Sequence, residues 1–229
     1  MKSLQRTGRY LNRELSWLAF NHRVLQEAER DDNPLVERVR FLGIFSNNMD
    51  EFFRVRVANL QRALLVDEKS TTTLGFGVRE TLSQVGERVL ELQSQYNETY
   101  GTVLDAMREA KIRILNEEEY SDAQREFATN YFKQRIRAHL VPIMISEERP
   151  FPDLKDGVVY FVVALTVDGS RGLETQYALI QLPQHLPRFV ILPSAEDGHN
   201  VTFIDDVIRN ELGRVFSLFR PVEVVAHTI

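Results

Sequence analysis

A regular apolar repeat between Val78 and Ala110 restricts the fold of this chain more than any other feature. Its members recur in alternating steps of four and three residues, and Thr99 fills the one gap. They are Val78, Leu82, Val85, Val89, Leu92, Tyr96, Val103, Met107 and Ala110. This spacing places one apolar seam along a single long helix, as in helices that pack antiparallel to one another. Because the pattern does not recur elsewhere in the chain, it predicts an intramolecular helical bundle and not an extended coiled coil.

Two further helices are predicted before this one. Asn12 is a suitable cap for a helix from Arg13 to about Glu29, because its side chain can accept hydrogen bonds from free backbone amides. Asn33 and Pro34 are a suitable cap and first residue for the next helix, since proline needs no amide donor at that position. Residues 10–110 are therefore predicted to be all-helical.

A polar break interrupts the apolar stretch at residues 41–53. The break is Ser46-Asn47-Asn48, and the acids Asp50 and Glu51 follow it closely. Asn and Ser favour helix caps, and acids suit the first turn of a helix. The pattern predicts that one helix ends near Phe45 and that another begins near Asn48. Capping accounts for one carboxamide only. Since a carboxamide can also bind a nucleobase or a ribose, the second one indicates a ligand contact.

The second half of the chain has a mixed pattern. Ser121 to Gln124 fits a capping box for a helix that ends before Pro142. The strands that follow are predicted at residues 158–167, 177–182, 188–192 and 222–229, and a helix is predicted at about 205–219. The predicted fold is multidomain, α and then α+β: a helical bundle in residues 1–112, and a domain with a mostly antiparallel sheet in residues 113–229. The chain stops inside its last predicted strand, which indicates truncation.

Composition limits the class of protein. A length of 229 residues with 43% hydrophobic residues is sufficient for two modest domains. The formal net charge of −5 argues against nucleic-acid or membrane-surface binding. The absence of cysteine from the sequence excludes disulfides and thiolate metal sites, and fits a cytosolic protein. No apolar run in the sequence is long enough for a signal peptide or a membrane span.

The sequence contains few motifs that indicate catalysis or ligand binding. The five histidines are scattered without metal-binding spacing, and the sequence contains no nucleotide-binding glycine loop or nucleophile elbow. Arg54 follows Asp50 by four residues, so an ion pair within one helix accounts for it, whereas Arg56 has no acid at that spacing and is a candidate phosphate ligand. Lys133, Arg135 and Arg137 alternate with apolar residues. A solvated helix face is the simpler interpretation of these three, and phosphate binding is the alternative.

Two long segments carry a resemblance to a known family. RELSWLAFN at residues 13–21 and NPLVERVRFLGIFSNNMDEF at residues 33–52 resemble the N-terminal domain of type 1 polyphosphate kinases. The likeness continues at residues 131–134, 140–143 and 187–190, so it extends over nearly the whole chain. It implies an enzyme that reversibly transfers the terminal phosphate of ATP to polyphosphate through a phosphohistidine, with Mg²⁺. It also implies a helical N-terminal domain, a head domain used in dimerisation and two C-terminal catalytic domains resembling phospholipase D.

The resemblance assigns roles within this chain. It implies that Asn48 contacts ATP, with Asn47, Arg54 and Arg56 as further candidate nucleotide or phosphate contacts. None of the five histidines corresponds to the phosphorylated one, so catalytic residues and Mg²⁺ ligands are expected outside this chain, and the chain alone is expected to be inactive. The expected partners are ATP or ADP, inorganic polyphosphate, the C-terminal catalytic domains and a second copy through the head domain. A cytoplasmic location is expected, with peripheral membrane association as an alternative.

A different class of function is kept as the alternative. In it the chain is a stand-alone interaction or polyanion-binding module that uses Arg54, Arg56, Lys133, Arg135 and Arg137. A steep salt dependence of polyphosphate binding would be the sign of such a module, because each bound phosphate releases counterions.

Overall fold

The structure is a computed structural model that describes residues 6–7, 10–67, 71–72, 75–146, 148, 150–169, 172–194 and 197–229. The chain divides into two compact units, Met1–Glu109 and Ala110–Ile229. The first unit is helical, and the second is an α+β unit with mostly antiparallel strands. The predicted fold class is confirmed.

The first unit is built around a long helix that packs against shorter ones. Asn12 Oδ1 accepts hydrogen bonds from the backbone amides of Glu14 and Leu15, which confirms the predicted cap. The long helix that the apolar repeat predicts is also present. The elements are β1 (Arg6–Thr7), β2 (Tyr10–Leu11), α1 (Arg13–Glu29), α2 (Leu35–Glu51), a π-helical segment (Phe52–Val57), α3 (Ala58–Val66) and α4 (Val78–Glu109).

The predicted helix break at Ser46-Asn47-Asn48 is wrong. Helix α2 runs through these residues to Glu51 and continues as the π-helical segment and α3, with no interruption before Val66. Asn48 is therefore inside a helix and cannot act as its N-cap. The physical reason is tertiary: Leu42, Phe45 and other apolar side chains of this helix are buried in one core. Burying that face in a continuous helix outweighs a local capping preference of about 1 kcal/mol.

The start of α2 also differs from the prediction by one residue. Pro34 is in the N-cap position and makes no side-chain capping bond, and the helix begins at Leu35. Asn33 does not cap this helix, because Pro34 is in the N-cap position; instead its Nδ2 donates a hydrogen bond to the backbone carbonyl of Glu27 at 2.7 Å. Asn33 thus joins the end of α1 to the start of α2.

The second unit contains two sheets. In the four-stranded sheet, order β4-β6-β5-β9, all neighbours are antiparallel; in the three-stranded sheet, order β3-β8-β7, β3 and β8 are parallel. The strands are β3 (Ile112–Ile114), β4 (Ile143–Ile145), β5 (Tyr160–Gly169), β6 (Gly172–Gln181), β7 (Phe189–Leu192), β8 (His199–Phe203) and β9 (Glu223–Thr228). Strands β3, β4 and β8 were not among the predicted elements.

Helices cover the core of this second unit. Ser121 and Gln124 form the predicted capping box, each side chain accepting a hydrogen bond from the other's backbone amide. Phe132 and Ile136 are buried with Phe161 of β5 in one core. The helical elements are a 3₁₀ turn (Glu117–Glu119), α5 (Asp122–Tyr131), a π-helical segment (Phe132–Ile136), a 3₁₀ turn (Arg137–His139), α6 (Ile204–Asn210), α7 (Leu212–Val215) and a 3₁₀ turn (Ser217–Phe219).

Across the described residues, no helix has both the length and the apolar character needed to cross a bilayer.

Candidate functional site

Asn48 is linked to helix α1 by a short chain of hydrogen bonds. Its Nδ2 donates to Asn21 Oδ1 at 3.0 Å, and Asn21 Nδ2 donates to the backbone carbonyl of Phe45 at 3.2 Å. Asn21 is 0% exposed, whereas Asn48 is half-buried and reaches the surface of the unit. The side chain of Asn48 is therefore held from one side by the protein interior.

The carboxamide oxygen of Asn48 is available to a ligand. Among the residues that the structure describes, none donates a hydrogen bond to Asn48 Oδ1. The oxygen is also not among the buried polar atoms that lack a partner, so it is accessible to solvent. An accessible amide acceptor on a fixed helix is suited to bind a hydrogen-bond donor.

A cavity of about 490 Å³ is lined by residues of helix α1 and of the helix that carries Asn48. Glu51 and Phe52 of its lining follow Asn48 by three and four residues, so all three side chains lie on one side of the helix. The ring of Trp17 stacks on that of Phe52, with 4.8 Å between centroids and 19° between planes. The lining consists of Arg13, Glu14, Trp17, Glu51, Phe52, Val55, Arg56, Asn59, Leu60, Ala63, Thr71, Thr72 and Val78.

Arg56 lines this cavity and is paired with a distant acid. Its Nη1 lies 3.2 Å from Glu14 Oε2, and its guanidinium lies 5.8 Å from the centre of the Trp17 ring. The side chain of Glu14 is only 7% exposed, and Arg13 Nη2 lies 3.1 Å from its other oxygen. The expectation that Arg56 lacks an acid within its own helix was right, but Glu14 of α1 compensates its charge. Arg56 can therefore offer an anion only the N–H groups that Glu14 leaves free.

The remaining two candidates lie outside the cavity lining. Arg54 Nη2 lies 2.7 Å from Asp50 Oδ2, which confirms the predicted ion pair within the helix. Both of these side chains are exposed, and so is Asn47. The structure therefore places Arg56 in the cavity lining, and Asn48, like Asn47 and Arg54, is not part of that lining. The ligand contacts proposed for all four residues stay predictions.

Sequence reasoning missed Asn21 and Glu14 as members of the site. Asn21 falls in the apolar series of α1, between the buried Leu18 and Leu25. A polar amide in the middle of a buried helix face needs a hydrogen-bonding partner, and this was the available signal. Glu14 carried a similar signal, because it precedes Leu18 by four residues on the same face.

A second cavity, of about 310 Å³, lies in the second unit and has several basic residues in its lining. Lys133 and Arg137 both line it, and the described residues provide neither with an ion pair. Arg214 also lines it, with its Nη1 2.9 Å from Oε2 of the buried Glu211. Arg135 does not line the cavity. The lining consists of Phe132, Lys133, Arg137, Leu140, Pro142, Glu211, Arg214, Val215 and Ser217.

Metal binding finds no support in the described part of the chain. No group of three or more His, Cys, Asp or Glu side chains is placed there to hold a metal ion. The imidazole rings of His139 and His185 lie 4.4 Å apart, edge to face, without an acidic third partner in such a group. The family resemblance implies Mg²⁺ ligands outside this chain, and that expectation stays a prediction.

Comparison with known proteins gives consistent matches along the chain. The family model for the polyphosphate kinase N-terminal domain matches residues 10–115, and the model for the polyphosphate kinase middle domain matches residues 123–229. The polyphosphate kinases of Vibrio parahaemolyticus and of Escherichia coli K12 are each 38% identical to the chain over 214 residues. These alignments include 92% of this chain and 30% of each relative, so the chain spans about 30% of their length.

A solved structure has the same fold. The crystal structure of polyphosphate kinase from Porphyromonas gingivalis aligns with a TM-score of 0.80 and 28% sequence identity. The alignment covers 96% of this chain and 33% of that one. Since the two family models together match most of the chain and the fold agrees, the chain belongs to the polyphosphate kinase family and comprises its N-terminal and middle domains.

Proposed function

We propose that this chain contributes to nucleotide binding in an enzyme that reversibly transfers the terminal phosphate of ATP to inorganic polyphosphate. The observation that carries this proposal is the position of Asn48. Its side chain is held in place by a buried partner, and Glu51 and Phe52, one helical turn after it, line a cavity of about 490 Å³. Such a group can bind one part of ATP without taking part in the chemistry.

The chemical step is assigned to domains outside this chain. Phosphoryl transfer to histidine needs a nucleophile, cations around the γ-phosphate and an in-line geometry. The family resemblance supports a phosphohistidine in the C-terminal domains, with Mg²⁺ ligands there as well. When it is bound, Mg²⁺ neutralises part of the negative charge of the phosphate groups. In this scheme the residues of this chain bind and orient the nucleotide.

The same proposal includes the partners of the chain. They are ATP or ADP, inorganic polyphosphate, the C-terminal catalytic domains of the same enzyme, and a second copy that binds through residues 113–229. A cytoplasmic location belongs to the proposal as well. Membership of the polyphosphate kinase family supports the substrates.

The test is an Asn48→Ala substitution in the full-length enzyme that carries this chain. We expect the KM for ATP to rise about 2- to 10-fold, the effect of one neutral hydrogen bond, with kcat changed less. Ser46→Ala is the matched control, because it removes a polar group from a nearby exposed residue of the same helix that is not a candidate nucleotide contact. Steady-state polyphosphate synthesis at varied ATP concentration gives both constants.

A measurement of thermal stability cannot distinguish an Asn48 that contacts ATP from an Asn48 that is only structural. Its loss leaves the buried Asn21 Oδ1 without a donor, so a lower Tm is expected whether or not ATP is bound. KM does separate them. If Asn48→Ala and Ser46→Ala give the same KM for ATP as the unaltered enzyme, Asn48 is only a structural residue and the proposal is wrong.

The second cavity favours a further candidate function, contact with a polyanion. Lys133 and Arg137 line it and have no ion pair among the described residues, so they can approach phosphate groups. Binding of inorganic tripolyphosphate to the 229-residue chain, measured by calorimetry, tests this. We expect Arg137→Ala to weaken binding several-fold and to reduce the salt slope by about one. Arg135→Ala is the matched control, since Arg135 lies two residues away and outside the lining.

Two results would contradict polyanion binding at this cavity. One is an equal loss of affinity in the Arg135 and Arg137 variants, which would indicate attraction by general surface charge. The other is the absence of measurable binding at low salt, where phosphate contacts are strongest.

A further inference from the structure

We propose that the cavity of about 310 Å³ in the second unit binds an end phosphate, a phosphate group with at least three free oxygens. Arg214 is its fixed ligand, and the buried Glu211 is the positioning residue that holds Arg214 in place. This inference rests on the polyanion contact proposed for the same cavity and makes it more specific. It adds two residues to Lys133 and Arg137 and names the chemical class of the group that is bound.

The carboxylate of Glu211 is fixed in the protein interior beside the cavity. Its side chain is only 3% exposed. Oε1 accepts hydrogen bonds from Thr129 Oγ1 at 2.6 Å and from Asn210 Nδ2 at 2.9 Å. Thr129 belongs to α5 and Asn210 is the last residue of α6, so two helices hold this carboxylate. Because an unpaired buried carboxylate is costly, its charge needs a cation nearby.

Arg214 supplies this cation and keeps its hydrogen bonds for another partner. Its Nη1 lies 2.9 Å from Glu211 Oε2, yet this oxygen accepts no hydrogen bond from the described residues, so the Arg214 N–H groups do not point at it. The side chain of Arg214 is 60% exposed, so a ligand can reach it. Arg214 is thus held in place by charge, and its planar set of N–H donors is available to an anion.

The basic residues of the cavity lining are attached to a fixed backbone. Lys133 follows the buried Phe132, and Arg137 follows the buried Ile136. Arg214 lies in α7, whose apolar residues belong to the same core. Of the described residues in the lining, these three are basic and a single one is acidic, so the formal charge of the lining is positive. The cavity is therefore a preformed site for an anion.

An end phosphate fits this set of cations better than other anionic groups do. Its three free oxygens allow it to face two N–H groups of Arg214 and still reach Lys133 or Arg137. A phosphate inside a chain and a carboxylate have two free oxygens each, and the guanidinium alone occupies both. An end phosphate also carries more negative charge than an internal one, which suits a lining with an excess of cations. The site therefore favours the ends of phosphate chains and small phosphates.

The experiment compares a linear and a cyclic phosphate of similar charge by calorimetry on the 229-residue chain. Linear tripolyphosphate has end phosphates, whereas cyclic tetrametaphosphate has internal phosphates only. We expect the linear probe to bind at least about 10-fold more tightly, the effect of one hydrogen bond between charged groups. The ratio of the two Kd values is the readout. Partial unfolding of a variant lowers the binding stoichiometry but leaves this ratio unaltered.

Two substitutions test the residues. Arg214→Lys keeps the charge but removes the planar set of donors, and Glu211→Gln keeps the size but removes the charge that holds Arg214. We expect each to reduce the preference for the linear probe by about threefold or more. If Glu211 acted only through its charge, Glu211→Gln would strengthen the binding of both probes and leave their ratio unchanged. Arg135→Lys is the matched control, since Arg135 lies outside the lining.

Inorganic phosphate, as a third probe, distinguishes two sources of the bound group. If it binds as tightly as tripolyphosphate, the site takes free phosphate. If it binds much more weakly, the site takes the end of a phosphate chain. Together with a preference for the linear probe, both results support an end phosphate.

The outcomes separate this inference from the proposed polyanion contact. If neither the linear nor the cyclic probe binds at low salt, the polyanion contact fails and the inference fails with it. If the two bind with equal Kd, the polyanion contact stands and only the inference is overturned. A preference that survives Arg214→Lys contradicts the role of Arg214, and one that survives Glu211→Gln contradicts the role of Glu211. Loss of the preference in both variants, but not in Arg135→Lys, supports every part.

Discussion

Glu14 connects two helices of the first unit through its buried carboxylate. It faces Arg56 at 3.2 Å on one oxygen and Arg13 at 3.1 Å on the other. Arg56 in turn covers the ring of Trp17. A buried carboxylate is costly unless it is paired, so the two arginines are needed to keep Glu14 in its position.

Glu14→Gln is predicted to destabilise the chain. The substitution keeps the size of the side chain but leaves the partly buried Arg56 without its counter-charge. We expect the free energy of unfolding to fall by about 1–3 kcal/mol. Urea denaturation of the 229-residue chain measures it. Glu51→Gln is the control, because Glu51 lines the same cavity and is exposed, so its effect should stay within about 0.5 kcal/mol. Equal effects of the two substitutions would contradict the structural role of the pair.

Which of these residues could be predicted depends on how far apart the partners are in sequence. The pair of Arg54 and Asp50 follows from helical spacing, and the structure contains it. Asn21 and Asn48 are 27 residues apart, and Arg56 and Glu14 are 42 apart. Such contacts require the mutual packing of two helices, which no local pattern specifies. The local sequence could show only that helix capping accounts for one of the two neighbouring Asn carboxamides and leaves the other unexplained.

At the scale of elements, long periodic segments were predictable and short ones were not. The helix predicted from the apolar repeat and the strand predicted at residues 158–167 agree with α4 and β5 of the structure. Strands β3 and β4 have three residues each, and each is fixed by a partner that is distant in sequence. The continuity of α2 into α3 was missed for a related reason. Capping residues are a local signal, but the buried face of Leu42, Phe45 and Phe52 decides the outcome.

Asp206 gives helix α6 a predictable dependence on pH. Burial, followed by repulsion from Asp205 and Glu117, raises the pKa of Asp206 to about 6 from an ordinary value of 3.8. The folded chain therefore holds this proton to a higher pH than the unfolded chain does. The charged carboxylate lowers stability above about pH 6, and this cost falls as the pH decreases toward 3.8.

Asp206→Asn is predicted to stabilise the chain above pH 6, because it removes a charge that is poorly solvated and repelled. We expect a gain of about 1 kcal/mol at pH 8, below the roughly 3 kcal/mol that two pKa units represent, since solvent still reaches the carboxyl. The gain should disappear near pH 4. Thermal unfolding from pH 4 to 8 measures it, with Asp153→Asn at an exposed position as the control. A gain in stability that does not change with pH would contradict the attribution of this effect to the charged carboxylate of Asp206.

At the scale of the whole molecule, each unit has a core of its own, and the chain spans about 30% of the length of its relatives. The fold class and the family were predictable because long gap-free motifs and two distinct periodicities are present in the sequence. The order of strands in the two sheets was not predictable from the sequence, because it depends on pairings between distant segments.

The 229-residue chain alone is predicted not to make polyphosphate from ATP and Mg²⁺. The reason is that phosphoryl transfer through histidine needs a nucleophile and cations around the γ-phosphate, which the proposed function assigns to domains outside this chain. The measurement is a polyphosphate synthesis assay on the isolated chain, with a heat-killed sample as the blank and the full-length enzyme as the positive control. Polyphosphate formation above the blank would contradict the assignment of the chemistry to other domains.

The stacking of Trp17 on Phe52 has a practical consequence. Trp17 is the only tryptophan in the sequence, and it lines the cavity of about 490 Å³ in the first unit. Tryptophan fluorescence of the chain therefore reports on one place in the first unit. A nucleotide that enters the cavity, or displaces the guanidinium of Arg56 from the ring, will change the emission directly. The chain thus contains its own optical probe at the site where binding is proposed, and titrations need no added label.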